Sequence, residues 1–189
     1  MELSLTEVLG FATGGLSVWL VVKENVWTWP VGIANNVFFL VLFWDAKLFA
    51  DMGLQVVYIV LSLAGLWYWL RGGGGGRRRR IGRVGAVEAA AVAAATAVAT
   101  AALTAYLERI GDAAPLLDAL TTSLSLAATY LLARKLIENW ALWIAADVIY
   151  VPLYLSKGLP LTALLYAVFL AMCVRGVVEW ARTSRIAHA

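Results

Sequence analysis

Charged residues, cysteine and histidine are all scarce in this chain. Only 14% of its 189 residues are charged, against about a quarter in an ordinary soluble domain. Hydrophobic residues make up 62%, more than a soluble fold of this size can hide from water. The composition therefore excludes a disordered chain, a secreted disulfide scaffold and an ordinary soluble enzyme. It favours a polytopic membrane protein.

The single cysteine and the single histidine exclude several kinds of site. Cys173 has no partner for a disulfide within the chain, and there is no Cys-x-x-Cys motif for metal or redox chemistry. His188 lies next to the C-terminus, which argues against a histidine-based zinc site or a Ser-His-Asp triad. We therefore expect no metal, no cofactor and no catalytic residue.

Seven apolar segments divide the chain. In order they are residues 5–22, 26–44, 54–70, 84–107, 115–132, 140–155 and 161–180. We expect an all-α integral membrane protein with seven transmembrane helices, forming a single transmembrane domain over residues 1–189. Glu2 stands where a signal peptide carries positive charge, so no signal peptide is expected.

Arginine is concentrated in one predicted loop, residues 71–83. There Arg71 is followed by five glycines and four further arginines, a composition typical of a flexible, solvated linker. Because Lys and Arg remain in the cytoplasm, this loop predicts an outer N-terminus and a cytoplasmic C-terminus. The cytoplasmic set is then Lys23, Arg71, Arg77, Arg78, Arg79, Arg80, Arg83, Arg134, Lys135, Arg175, Arg182 and Arg185, against Lys47, Arg109 and Lys157 outside. This bias removes the main argument for nucleic-acid binding.

The two ends of the chain resemble each other in one ungapped alignment, which places Trp19 on Tyr130 and is called the repeat register below. The same register matches Lys23 with Arg134, Asn36 with Asp147, Gly65 with Gly176, and Trp69 with Trp180. Residues 4–70 and 115–181 then form two three-helix repeats, joined by a linker helix over 84–109. One linking helix leaves both repeats pointing the same way, so we expect a 3+1+3 parallel-repeat, SWEET-like bundle with substrate between the repeats. A duplicated bundle that transports nothing is the alternative.

Polar side chains recur on single faces of the apolar segments. The sets are Trp29 with Asn36; Gln55, Tyr58 and Ser62; Trp140, Trp143 and Asp147; and Thr162 with Tyr166. The fifth segment offers the consecutive hydroxyl residues Thr121, Thr122 and Ser123. Polar groups are costly at membrane depth, so they favour a cavity or a partner. Aromatic faces, amides and a carboxylate suit a planar heterocycle joined to a polyol. A phosphorylated substrate requires Arg or Lys, and none lies at mid-membrane depth.

These side chains also admit simpler interpretations. Tryptophans near segment ends are expected to be anchors at the membrane interface, namely Trp27, Trp44, Trp67, Trp69 and Trp180. Trp29, Trp140 and Trp143 admit the same interpretation. The amides and hydroxyls can simply join helices, and Asp147 can pair with a neighbouring polar group and lock the fold.

Several motifs resemble the PnuC-type vitamin transporter family, whose best-known members carry nicotinamide riboside. They are Trp27-Thr-Trp29-Pro30-Val-Gly32-Ile33, Ala50-Asp51-Met-Gly-Leu-Gln55-Val-Val-Tyr58, Gly65-Leu-Trp67-Tyr-Trp69, Glu138-Asn139-Trp140-Ala-Leu-Trp143-Ile-Ala-Ala-Asp147 and Gly158-Leu-Pro-Leu-Thr162-Ala-Leu-Leu-Tyr166. The resemblance covers nearly the whole chain except the fourth segment and the arginine loop. The first motif departs from the fourth, because Trp27 and Trp29 are two positions apart and Trp140 and Trp143 are three apart.

The resemblance implies a seven-helix 3+1+3 bundle, often a homotrimer, in the bacterial-type inner membrane. It implies facilitated diffusion of an unphosphorylated vitamin, which a cytoplasmic kinase then traps. Carried over by motif, the substrate-binding residues are Trp29, Asn36, Gln55, Tyr58, Trp140, Trp143, Asp147 and Tyr166. The assignment of Asn36 depends on its pairing with Asp147 in the repeat register.

Nicotinamide riboside is the expected substrate, and riboflavin and thiamine remain alternatives. An ionised Asp147 favours the cationic rings of nicotinamide riboside and thiamine, whereas an aromatic and amide pocket suits all three vitamins. A membrane enzyme acting on a lipid-linked substrate needs a nucleophile–base pair or a metal site, and the sequence offers neither. A non-transporting scaffold is the remaining alternative.

Overall fold

The computed structural model describes residues 5–45, 49–72, 80–156, 158 and 160–186. These ranges contain seven α-helices, as the sequence predicts. They are α1 (Leu5–Val22), α2 (Thr28–Asp45), α3 (Phe49–Arg71), α4 (Ala86–Arg109), α5 (Pro115–Ala133), α6 (Asn139–Ser156) and α7 (Pro160–Ile186). α5 and α7 each begin at a proline, which is favoured at the first helical position because its missing N–H has no helical partner there. Residues 73–79, the glycine- and arginine-rich part of the predicted loop, lie outside the described residues.

Four helices are long and apolar enough to cross a membrane, counted over the described part of the chain. Their spans are Met52–Arg71, Ala86–Arg109, Pro115–Ala133 and Pro160–Ser184. Shorter apolar helical stretches lie at Ala12–Val22 in α1 and Thr28–Val41 in α2. The prediction of seven transmembrane helices is therefore met by seven helices, of which these four qualify as membrane spans by length and hydropathy. Helix α6, a continuous helix that contains Asp147 and Pro152, belongs to neither of these two groups.

The helices pack as two groups of three with α4 at one side. α2 lies between α1 and α3, and α6 lies between α5 and α7. Among the described helices, two further contacts join the groups, α3 with α5 and α1 with α7, while α4 packs against α5 alone.

Helix α4 is a lipid-compatible helix with no buried residue. It is rich in alanine, the residue with the best helix propensity. Its threonine hydroxyls are satisfied internally, because Thr96, Thr100 and Thr104 each donate to a carbonyl four positions earlier at 2.8 Å. None of these threonines therefore presents an unpaired hydroxyl donor to the lipid.

Two hydrogen bonds between the helix groups are equivalent in the repeat register. The indole Nε1 of Trp69 donates to the Leu132 carbonyl at 3.0 Å. The indole Nε1 of Trp180 donates to the Val21 carbonyl, also at 3.0 Å. The register aligns the donor Trp69 with the donor Trp180, and the acceptor Val21 with the acceptor Leu132. Each group thus ties the end of its third helix to the first helix of the other.

The turns after α1 and α5 share the same backbone conformation. Glu24 has φ 51° and Lys135 has φ 57°, a left-handed conformation that is uncommon outside glycine. The N–H groups of Asn25 and Leu136, one position further on, each return to a helix carbonyl at 2.9 Å. The two turns also meet, since Lys135 Nζ lies 3.0 Å from Glu24 Oε2 and 4.8 Å from the ring centroid of Trp69.

The interface-anchor prediction was wrong for two of its five tryptophans. Trp69 is 3% exposed and Trp180 is fully buried, because each indole N–H bonds to a carbonyl of the opposite group. Trp27, Trp44 and Trp67 are exposed, in agreement with that prediction. A tryptophan near a helix end can thus either anchor at the membrane interface or bond to a carbonyl inside the bundle, and the sequence does not distinguish the two.

The start of α4 is attached to the turn between α5 and α6. Gly82 pairs with Leu136 in an isolated β-bridge. The Val84 N–H donates to the Glu138 carboxylate at 3.0 Å, and Arg134 Nη1 lies 3.1 Å from Glu88 Oε1. These contacts hold the start of α4 against the α5–α6 turn.

Candidate functional site

A cavity of about 380 Å³ lies between the two helix groups. Of the described helices, all except α4 contribute to its wall. Its volume falls within the range of about 300–1,000 Å³ that is usual for small-molecule sites. All eight side chains predicted to bind substrate lie in its wall: Trp29, Asn36, Gln55, Tyr58, Trp140, Trp143, Asp147 and Tyr166.

Two tryptophans form equivalent parts of this wall. Trp29 is 3% exposed and Trp140 is 1% exposed, so neither is a membrane-interface anchor. Each ring packs on a glycine of the next helix, and a Cβ at Gly65 or Gly176 would overlap it. Within the described residues, both indole Nε1 atoms are buried without a hydrogen-bond partner. Because an unpaired buried donor is costly, these two N–H groups are suited to an acceptor on a bound molecule.

Each of these indoles rests edge-on against a second tryptophan. The ring centroids of Trp29 and Trp69 are 5.5 Å apart with an interplanar angle of 87°. Those of Trp140 and Trp180 are 5.5 Å apart with an angle of 85°. Trp69 and Trp180, whose indoles bond to backbone carbonyls, therefore support the two cavity-wall tryptophans in a favourable edge-to-face geometry.

Asp147 supplies the one carboxylate among the described residues of the cavity wall. It lies midway along α6 and is 3% exposed. The thiol of Cys173 on α7 lies 3.5 Å from its Oδ2 atom. The described wall contains no Lys or Arg, so its one carboxyl group has no basic side chain beside it.

Several residues of the cavity wall were not predicted from the sequence. Ser17 on α1 lies in the wall and its hydroxyl is 3.1 Å from the Thr28 hydroxyl on α2. On α5 the wall contains Ser125 and Thr129, whereas Thr121, Thr122 and Ser123 do not line it. Ser125 and Thr129 are four positions apart and so share a helix face, which is the signal that could have found them.

Three tyrosines stack at one side of the cavity. The ring centroids of Tyr150 and Tyr166 are 4.4 Å apart, and those of Tyr154 and Tyr166 are 5.2 Å apart with nearly parallel planes. Tyr150 and Tyr166 line the cavity. Tyr150 follows Asp147 by three positions on the same helix face, a spacing that could have identified it.

A larger groove of about 740 Å³ lies elsewhere, between α4, α5 and α6. Its described lining is apolar except for Thr96, Thr100 and Glu138, and it contains none of the predicted substrate-binding residues. The two threonine hydroxyls already bond to their own helix. The smaller, polar cavity is therefore the candidate site.

Comparisons with known proteins identify the family of this chain. A family model described as the nicotinamide mononucleotide transporter matches residues 4–182. The chain belongs to this family. It is therefore a multi-pass membrane transporter rather than an enzyme.

The proteins that this chain resembles are named as transporters of different vitamins. The chain is 26% identical to the riboflavin/roseoflavin transporter RibM of Streptomyces davaonensis, covering 95% of this chain and 86% of that one. It is 25% identical to the nicotinamide riboside transporter PnuC of Escherichia coli K12, covering 97% and 88%. The crystal structure of the vitamin B3 transporter PnuC superposes with a TM-score of 0.71 at 25% identity, covering 94% of this chain and 80% of that one.

Proposed function

We propose that this protein carries nicotinamide riboside across the cell membrane by facilitated diffusion. The observation that carries the proposal is the composition of the cavity wall: flat aromatic rings, amides, hydroxyls and one carboxylate, without a lysine or arginine among the described residues. Aromatic faces bind a cationic ring and the amides and hydroxyls suit a ribose. A phosphate group lacks a basic partner in this wall. The substrate is therefore the nucleoside rather than its phosphorylated form.

Riboflavin is the second candidate, and thiamine the third. The similarity to a riboflavin/roseoflavin transporter is as extensive as that to a nicotinamide riboside transporter. The carboxylate of Asp147 favours nicotinamide riboside, because its pyridinium ring is cationic and the flavin ring is neutral. Under this proposal the substrate contacts are Trp29, Asn36, Gln55, Tyr58, Trp140, Trp143, Asp147 and Tyr166.

Transport proceeds by alternating access between two parallel three-helix repeats with α4 as linker. The support is the set of contacts that recur in the repeat register, among them the bonds of Trp69 and Trp180 to opposite carbonyls. The cavity lies between these groups, as expected for a carrier built from parallel repeats. Relative movement of the repeats then exposes the cavity to each side in turn.

The end of the bundle that contains Arg71 faces the cytoplasm, so the N-terminus is outside and the C-terminus inside. The support is the excess of Lys and Arg in the segments that meet at that end. At this end the turns after α1 and α5 are joined by the Glu24–Lys135 ion pair. A cytoplasmic kinase phosphorylates the vitamin after entry and so drives net uptake. The transporter assembles as a homotrimer in the bilayer.

Equilibrium binding to the purified protein in detergent tests the proposed substrate. Nicotinamide riboside, nicotinamide mononucleotide, riboflavin and thiamine are titrated in parallel. We expect tightest binding of nicotinamide riboside, strongly weakened but still measurable in Asp147→Asn and retained in Thr100→Ala, a control in the groove beside α4. Tighter binding of riboflavin overturns the substrate assignment. Binding of none of the four by folded protein contradicts transport through this cavity.

A further inference from the structure

We propose that Cys173 is a positioning residue for the substrate-binding carboxylate of Asp147. Its thiol donates to Oδ2 of that carboxylate and holds the side chain in the cavity wall. The inference rests on the proposed function, in which Asp147 contacts the vitamin. It assigns a role in substrate recognition to the only cysteine of the chain.

The geometry links two buried side chains on neighbouring helices. Cys173 and Asp147 are each 3% exposed. The Sγ–Oδ2 distance of 3.5 Å is within the range for a hydrogen bond that involves sulfur. The structure records no other hydrogen bond to this carboxylate among the described residues. The thiol is thus the contact that fixes the rotamer of Asp147 between α6 and α7.

The chemistry of a thiol fits this task. A thiol is a small, largely apolar group with a weak S–H donor, so it orients the carboxylate without neutralising its charge. A lysine or arginine at the same place would form an ion pair and compete with a cationic substrate. The carboxylate therefore remains available to a positively charged ring.

The corresponding position in the other helix group has a similar side chain. Ser62 aligns with Cys173 in the repeat register, is 6% exposed and lines the same cavity. Asn36 likewise aligns with Asp147. Both groups therefore place a small hydrogen-bond donor on the third helix and a polar acceptor on the second. In the second group that acceptor is a carboxylate, and in the first it is an amide.

A double-mutant cycle tests whether Cys173 acts through Asp147. Nicotinamide riboside binding is measured for the wild type, Cys173→Ala, Asp147→Asn and the double variant in detergent. Loss of one modest hydrogen bond predicts about fivefold to tenfold weaker binding in Cys173→Ala. We expect no further loss from Cys173→Ala when Asp147→Asn is already present. Cys173→Ser, which retains a donor, is expected to restore binding to within about twofold of wild type.

The outcomes separate this inference from the proposed function. Equal losses from Cys173→Ala in both backgrounds, or no rescue by serine, overturn the positioning role. If wild type binds the vitamin and Asp147→Asn binds weakly, but Cys173→Ala binds normally, the inference fails alone. If wild type binds none of the four vitamins, the proposed function fails and the inference with it. Cys173→Val removes the donor without opening a cavity, and it repeats the test should the alanine variant lose stability.

Discussion

Replacing Trp180 by phenylalanine measures one of the two equivalent bonds that join the helix groups. The substitution removes the 3.0 Å bond from Nε1 to the Val21 carbonyl in a fully buried setting. That carbonyl keeps a second bond, from the Glu24 N–H at 2.9 Å, so the lost bond is worth about 1 kcal/mol. The smaller ring leaves roughly 40 Å³ unfilled, which adds about 1 kcal/mol. We expect a loss of about 2 kcal/mol in the free energy of unfolding.

The equivalent variant Trp69→Phe should show nearly the same loss. Its bond to the Leu132 carbonyl is also 3.0 Å long, and that carbonyl likewise keeps a bond from the Lys135 N–H. Trp67→Phe is the control, because Trp67 is 55% exposed and exposed substitutions usually change stability by less than about 0.5 kcal/mol. Unfolding is followed by SDS titration in mixed micelles. A Trp180→Phe variant as stable as the Trp67→Phe control would refute this reasoning.

Two further stability predictions concern the cavity wall and the turns. Gly176→Ala places a methyl group into the ring of Trp140 and should lower the free energy of unfolding by about 1–3 kcal/mol. The control Gly53→Ala meets nothing within 4 Å and should raise it by about 0.5–1 kcal/mol. Equal effects of the two variants in the same SDS titration would contradict the packing of Trp140 on Gly176. Lys135→Met removes the partner of Glu24 and should cost about 1.5–3 kcal/mol. Part of that loss should return in the double variant with Glu24→Gln, and no recovery would argue against the ion pair.

The number and positions of the helices were predictable because an apolar membrane segment is a local signal. Helix lengths were less predictable, since a helix can continue into polar residues that flank the predicted apolar segment. Helix α3 begins at Phe49, before the predicted segment, and α7 continues to Ile186, beyond the predicted end. Charged and amphipathic residues continue these helices beyond the apolar core, where hydropathy no longer marks them.

The cavity residues were largely predictable because polar groups at membrane depth are rare and recur with helical spacing. Their partners were not predictable, since hydropathy does not identify which helix lies opposite. Trp69 and Trp180 were expected at the membrane interface and instead bond to carbonyls of the opposite helix group. The hydrogen bond from Cys173 to Asp147 joins two different helices, and only their packing reveals it.

Counterflow of labelled nicotinamide riboside in proteoliposomes tests the central claim most directly. Liposomes loaded with unlabelled vitamin and diluted into labelled vitamin should accumulate label transiently, with no imposed proton or sodium gradient. Unlabelled nicotinamide mononucleotide inside should not support exchange, because the described cavity wall has no basic residue for its phosphate. Asp147→Asn should strongly reduce the signal. Absence of counterflow by the wild type, or uptake that tracks an imposed ion gradient, would contradict a passive carrier of this vitamin.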